Sequence, residues 1–208
     1  MALKDVGNKV PIYKLKTTDE VMRYYDEWGE KDKYNKDMVD WNYRGPEESA
    51  DVIKKYLLNK DALFFDAGCG TGLVGLQLKK YGYKNFHGAD LSQKLLDTVP
   101  ENLYQKLFKV DLNKPIELNN NLYDTVMCVG TFTYGHVKAN ALDELVRITK
   151  PGGFICFTIN EGIYKEYGFD EKILEIKKNN KWEKLEFFKS DYIASKDVNA
   201  WLGLYKVQ

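Results

Sequence analysis

The chain carries only two histidines and three cysteines in its 208 residues. Cys69, Cys128 and Cys156 lie far apart with no C-x-x-C pair. With His87 and His136 they offer too few well-spaced ligands for a structural zinc ion, so no metal site is expected. They read as reduced, mostly buried thiols of a cytoplasmic protein. No apolar run reaches the ~18 residues that span a bilayer, and the start, Met1 to Val10, lacks the apolar stretch of a secretory signal. Charge of one sign is not in excess either: 31 Lys and Arg face 31 Asp and Glu. A nucleic-acid binder carries a basic surplus to neutralise phosphates, so nucleic acid is disfavoured as a partner. Internal repeats are absent, and low complexity is confined to Asn119–Asn121 and Lys177–Lys181, which read as solvated loops or turns.

What is present is an ordinary globular composition, 44% hydrophobic and 30% charged, in a chain long enough for one domain with a short extension. Before Asp61 the pattern is helical, with segments at Asp19–Trp28 and Pro46–Leu58. Pro46 suits a first helical turn, and Glu47 and Glu48 suit its positive end. From Asp61 onward strand and helix signals alternate. Strands are predicted at Ala62–Asp66, Phe86–Asp90, Tyr104–Val110, Tyr123–Val129 and Phe154–Ile159. Helices are predicted at Leu73–Lys80, after a cap at Ser92, at Ala139–Thr149 and at Glu171–Lys178, with a turn at Pro151-Gly152-Gly153. Two late strand-like runs, Trp182–Tyr192 and Val198–Val207, suit an antiparallel pair. The expected fold is α/β, a mostly parallel Rossmann-like sheet ending in a hairpin, with helices on both faces.

The most informative stretch is Phe64-Phe65-Asp66-Ala67-Gly68-Cys69-Gly70-Thr71-Gly72, a glycine-rich strand-to-helix turn. Glycines there let the backbone approach a ligand closely. The literal G-x-G-x-x-G of Gly70 to Gly75 would equally permit NAD. Asp66 discriminates: a carboxylate two residues before Gly68 repels a pyrophosphate but favours the ammonium and sulfonium of S-adenosylmethionine. Its other reading is a loop cap. Asp90 ends the second strand, where a carboxylate can accept both hydroxyls of a ribose or cap the helix that follows. Asp111-Leu112 ends the third strand, where Asp111 could accept from an adenine amine and the Leu112 amide could donate to its ring. The alternative there is a turn aspartate before Asn113 and Pro115.

Together these residues resemble the class I S-adenosylmethionine-dependent methyltransferases from about Asp61 to the C-terminus. The Asp66–Gly72 loop, Asp90, Asp111 and the Lys150-Pro151-Gly152-Gly153 turn stand in that family's order. The resemblance implies a seven-stranded sheet with the cofactor across the ends of the first four strands. Cys69, Leu91 and Gly130 join the residues it places at the cofactor. A closer similarity, to the Williams–Beuren region type of methyltransferase-like proteins, rests on Tyr25-Asp26-Glu27-Trp28, Tyr34, Asp37, Tyr43-Arg44-Gly45-Pro46, Val129-Gly130-Thr131 and Gly135-His136-Val137. It implies that residues 1–60 form a helical lid on a cofactor domain of residues 61–208, with Tyr25, Trp28 and Tyr34 over the cofactor. The same aromatics could serve packing alone.

Methyl transfer from a sulfonium needs the two partners aligned and desolvated, and a general base only for a protonated acceptor. His136 is the base candidate, although a single histidine in a loop is more often structural. Thr131, Phe132 and Tyr134 are candidates for the acceptor pocket. After the fourth strand the chain reads Val129-Gly130-Thr131-Phe132, without the Asn-Pro-Pro-Tyr or Asp-Pro-Pro-Tyr of amino-methylating DNA and glutamine enzymes, and no Pro-Cys nucleophile occurs. A small-molecule acceptor is favoured, a protein side chain second. Two rival functions stand beside methyl transfer: a cofactor-binding partner protein without turnover, and an NAD-dependent oxidoreductase, against which Asp66 and the C-terminal hairpin weigh.

Overall fold

A computed structural model describes residues 9–15, 17–30 and 33–208, so most of the Met1–Val10 stretch lies outside the described residues. Strands β1 (Leu63–Ala67), β2 (Asn85–Asp90), β3 (Lys106–Lys109), β4 (Tyr123–Phe132) and β5 (Thr149–Asn160) are joined by β6 (Trp182–Ile193) and β7 (Val198–Val207). They form one seven-stranded sheet in the order β3-β2-β1-β4-β5-β7-β6. Strands β1 to β5 pair in parallel, whereas β7 runs antiparallel to both β5 and β6. This is the mostly parallel sheet with a closing hairpin that the sequence predicts. The chain leaves β1 toward β2 and β3, then returns to place β4 on the other side of β1. That reversal opens a crevice at the carboxyl ends of the strands, where α/β sheets hold ligands.

Both faces of the sheet are covered, so its strands are apolar on both sides. Phe64, Met127 and Cys156 point toward α3 (Gly45–Tyr56) and α4 (Leu73–Lys80). Their neighbours Phe65, Val126 and Ile155 point to the opposite layer, with α6 (Ala141–Ile148) and α7 (Phe169–Lys178). Neighbouring residues of an extended chain face opposite sides, which assigns each its layer. The three cysteines are buried and unpaired.

The N-terminal helices α1 (Thr18–Trp28) and α2 (Lys33–Asp40) pack above the crevice, and α5 (Gln93–Leu96) lies beneath α1. A reciprocal cap starts α1: the Glu20 amide donates to Thr17 Oγ1 at 3.2 Å, and the Thr17 amide to Glu20 Oε2 at 3.1 Å. Helix α2 was not foreseen, because its sequence KYNKDMVD has no apolar repeat and buries only Met38.

Three boundaries differ from expectation for identifiable reasons. Strand β3 begins at Lys106 rather than Tyr104, because Tyr104 turns inward to a buried carboxylate while Lys106 and Lys109 stay exposed on the sheet edge. Strand β4 continues to Phe132 through Gly130, whose φ is +86°. Pro151-Gly152-Gly153 is a bulge inside β5 rather than a turn before it. Tyr123 pairs with Thr149 and Thr125 with Phe154, so residues 150–153 all lie opposite Asp124. Lys150 Nζ donates to Asp124 Oδ1 at 2.6 Å and the Leu63 amide to Oδ2 at 2.8 Å, which locks the bulge to β1.

Candidate active site

The floor of the crevice is built by backbone. The amides of Gly68 and Cys69 donate to the Ala89 carbonyl at 2.7 and 2.9 Å, pinning the glycine loop to β2. Asp90 completes the stitch: the Gly70 amide donates to its Oδ2 at 2.9 Å and the Ser92 amide to its Oδ1 at 2.8 Å. Ser92 itself caps α5, accepting from the Leu95 amide at 3.2 Å. Asp90 forms the crevice wall with Gly68, Gly70 and Leu91. Burial raises the Asp90 pKa, and the Ser92, Gly70 and Leu91 amides oppose that rise.

Gly68 and Gly70 meet different needs. At Gly68, with φ +78°, a Cβ would stand 2.1 Å from Thr131 Oγ1, so only glycine lets β1 and β4 close together here. At Gly70, with φ +52°, nothing lies within 4 Å of a Cβ, leaving open space above the loop. Gly75, the last glycine of the G-x-G-x-x-G, is spent differently again: its Cβ would meet the Tyr104 hydroxyl at 2.7 Å. That glycine makes room for a tyrosine, not for a phosphate.

Asp66 stands behind the loop, fully enclosed. Tyr104 donates to its Oδ2 at 2.6 Å, while Oδ1 has no hydrogen-bond partner. Burial raises its pKa to about 7, the Tyr104 hydroxyl pulls it down, and nearby Asp90 pushes it up. Cys69 lies against the same group, its thiol pushed up by burial and by both carboxylates. Tyr104 had no role in the sequence reading. Only a tyrosine 38 residues downstream of a glycine-loop aspartate could have hinted at it, and that spacing has no generic meaning.

Asp111 and Leu112 line the far end of the crevice with Val110 and Asn113. Asp111 Oδ1 accepts from the Asn113 amide at 3.0 Å, and Lys114 Nζ lies 3.3 Å from Oδ2. The turn role of Asp111 is thus present alongside its position in the wall. Asn113 then ties this loop to the next, donating to the His136 carbonyl at 3.3 Å and accepting from the Lys138 amide at 2.9 Å.

The roof is built by side chains. Val21, Met22 and Tyr25 of α1 and Tyr34 of α2 face the crevice. Trp28 lies one layer back, 4.9 Å from Tyr34, 5.9 Å from Tyr25 and 5.5 Å from Trp41 between ring centroids. Its Nε1 donates to Asp37 Oδ2 at 2.6 Å. Roof meets floor at His136. Nδ1 lies 2.6 Å from the Tyr134 carbonyl oxygen, which can only accept, so the proton belongs on Nδ1. Nε2 then accepts from the Tyr25 hydroxyl at 3.0 Å. Desolvation holds the imidazole pKa down to about 4, against a smaller opposing effect of the Tyr134 carbonyl.

The structure brings Tyr25, Tyr34, Gly68, Gly70, Asp90, Leu91, Asp111, Leu112, Gly130, Thr131 and His136 to one cleft. It places Asp66, Cys69 and Gly72 behind the loop and Trp28 behind the roof. Phe132 and Tyr134, expected at the acceptor, lie outside that cleft. Phe132 packs 4.9 Å from Phe169, and Tyr134 packs 5.4 Å from Tyr13. Thr131 faces the cleft, so its neighbour Phe132 faces the opposite layer. Tyr134 and Lys138 have the Tyr-x-x-x-Lys spacing used by some oxidoreductases. Here Tyr134 is buried against Gly162 while Lys138 is exposed, and the two form no catalytic pair.

Residues 65–157 match the family described as Methyltransferase domain. That stretch carries the glycine loop and Asp90, and the seven-stranded sheet around it is the Rossmann-like fold of methyltransferases. The chain's resemblance is to human methyltransferase-like protein 27 in particular, 35% identical over 141 residues, covering 66% of this chain and 56% of that protein. An uncharacterised methyltransferase of Schizosaccharomyces pombe is 30% identical over 126 residues, covering 55% of this chain and 45% of its own. The chain thus spans about half the length of the curated relatives it matches. A crystal structure of an S-adenosylmethionine-dependent methyltransferase from Mesorhizobium loti shares the fold, with a TM-score of 0.58 at 14% identity over 78% of this chain and 100% of that one. No helix among the described residues is long and apolar enough to cross a membrane.

Proposed function

We propose that this chain binds S-adenosylmethionine in the crevice and transfers its methyl group to a small acceptor, releasing S-adenosylhomocysteine. The observation that carries the reading is Asp90. Its carboxylate is held by backbone amides at the end of β2 and lines the crevice beside Gly70. A carboxylate so oriented accepts a pair of neighbouring hydroxyls without reorganising, and each charge-assisted hydrogen bond is worth about 1.5–3 kcal/mol. Asp111 and Leu112 would border the adenine. Gly68, Gly70 and Gly130 would border the amino-acid end, with the enclosed Asp66 lending negative potential from behind.

The bound group would supply the activated methyl; the chain supplies alignment and dryness. Tyr25 and Tyr34 would cover the reacting centre, and Trp28 holds those two rings in place. His136 would act only through Tyr25. Its Nε2 accepts the phenolic hydrogen bond, so the phenolic oxygen is the atom left to face an acceptor's proton. A histidine whose pKa lies near 4 stores that proton poorly, which favours acceptors that do not need a strong base. In this reading the described part of residues 1–60 is the helical lid and extension, and 61–208 is the cofactor unit.

Calorimetric titration with S-adenosylhomocysteine, S-adenosylmethionine and NAD tests this. Adenosyl ligands alone are expected to bind, and Asp90→Ala is expected to weaken them about tenfold to a hundredfold. NAD binding in their place would overturn the proposal. Formation of S-adenosylhomocysteine during incubation with cell extract would separate an enzyme from a silent binding protein.

A further inference from the structure

A second cavity adjoins the crevice between α1, α2 and the ends of β4 and β6. It shares Tyr25, Tyr34 and Gly130 with the crevice, so the two meet beside the end of β4. An acceptor held in this cavity would stand beside a cofactor bound in the crevice. The cavity wall is aromatic: Tyr13, Trp28, Tyr34, Trp41, Tyr43 and Tyr192 all line it. Two features give that wall a chemical preference.

One is charge. Among the described residues no lysine or arginine lines either space, and the ionisable groups of the crevice are Asp90, Asp111 and the neutral His136. A carboxylate or phosphate acceptor would be desolvated without a cationic partner, next to two carboxylates. Lys196 lies beside the cavity, its ammonium 5.0 Å from the Trp41 ring centroid, and Lys114 pairs with Asp111 at 3.3 Å outside the crevice lining. Lys196 is not itself part of the lining. The other feature is a buried polar side chain. Thr133 lines the cavity, is 3% exposed, and its hydroxyl lies beside that of Tyr13. A hydroxyl oxygen at the end of a ring-walled space is a ready acceptor for an N–H.

We propose that the methyl acceptor is an amine, whose nitrogen enters this ring-lined cavity; the proposal rests on the methyltransferase reading above. The amine enters as its free base, its proton left in bulk water. Its lone pair takes the methyl carbon as the carbon–sulfur bond breaks, with the bond's electron pair remaining on sulfur. Total charge is conserved in this step, and the positive charge moves from sulfur to nitrogen. Aromatic faces around the nitrogen stabilise the ammonium that forms, and more so in a desolvated space. An anionic nucleophile would instead annihilate the charge, and the rings would lose their partner as the reaction proceeded.

The test uses the whole chain saturated with S-adenosylhomocysteine and three probes of one shape: choline, 3,3-dimethylbutanol and 3,3-dimethylbutanoate. Calorimetry and the fluorescence of Trp28 and Trp41 report binding. Choline is expected to bind at least about tenfold more tightly than the alcohol, with the carboxylate weakest. Tyr43→Leu is expected to remove that preference and Tyr43→Phe to keep it, since phenylalanine retains the ring. Should Tyr43→Leu not fold, the wild-type series and Tyr43→Phe still decide. Equal affinities, a reversed order, or no choline binding to the loaded protein overturns the amine proposal alone. Failure to bind S-adenosylhomocysteine would instead remove the methyltransferase reading on which it rests.

Discussion

The floor and the roof of the crevice are made by opposite means. In the floor, backbone amides of Gly68, Cys69, Gly70 and Ser92 find partners in the Ala89 carbonyl and the Asp90 carboxylate. In the roof, Tyr25, Trp28 and Tyr34 meet through ring packing, and single hydrogen bonds tie them down at His136 and Asp37. A backbone-built floor depends on residues that leave the main chain free to bend. A side-chain-built roof depends on volume. The two should therefore fail separately and by different substitutions.

The largest effect is expected from Trp28→Ala. Removing a large buried aromatic costs about 3–5 kcal/mol, and here the loss falls on α1 and α2. Hydrogen exchange should show those helices deprotected while β1, β4 and β5 stay protected; uniform loss across the sheet would show that roof and floor are one cooperative unit. Next comes Gly68→Ala, which combines left-handed backbone strain with a Cβ 2.1 Å from Thr131 Oγ1. About 2–4 kcal/mol should be lost in denaturant unfolding. Gly82→Ala has a similar φ of +85° but open space around it, and should cost only about 1–2 kcal/mol. If the two glycines cost the same, strain alone explains Gly68 and the close approach of β4 does not matter.

The smallest effects separate the two regions by pH. Asp66 in the floor has its pKa raised to about 7, above its unfolded value of 3.8. Its contribution is fully present below pH 3.8 and is lost as pH rises through about 7. His136 beneath the roof has its pKa lowered to about 4 from 6.5. Its contribution is present above pH 6.5 and is lost as pH falls toward 4. Between those limits the two slopes oppose each other, so the wild-type melting temperature should vary little. Asp66→Asn should expose a decline toward acid, and His136→Gln a decline toward neutrality. A flat profile in both variants would refute the pair of shifts.

Much of the floor was legible because its signals are local. Gly68, Gly70 and Gly72 mark a turn wherever they occur after a buried strand, and Leu73–Lys80 follows as the helix expected. Asp90 was legible because a strand end fixes where its carboxylate points. The roof was less so. Tyr25 and Tyr34 were named, but helix α2 was missed, since polar residues leave no apolar period, and Val21 and Met22 gave no sign of facing a ligand. Phe132 was assigned to the cleft beside Thr131, although alternation along a strand sends one of two neighbours away. The Tyr104–Asp66 pair was invisible, because nothing local links residues so far apart in the chain.

The amino-acid sequence by itself determined the alternation of strands and helices, the glycine loop and the two strand-end carboxylates. These follow from periodicity and from dihedral angles that only glycine adopts easily. The tertiary structure alone decided which side of each strand meets the crevice, that Asp66 is sealed behind Tyr104, and that seven aromatic rings from distant segments line one cavity. Those outcomes depend on packing between segments brought together by the fold, and packing is not a local property of the chain.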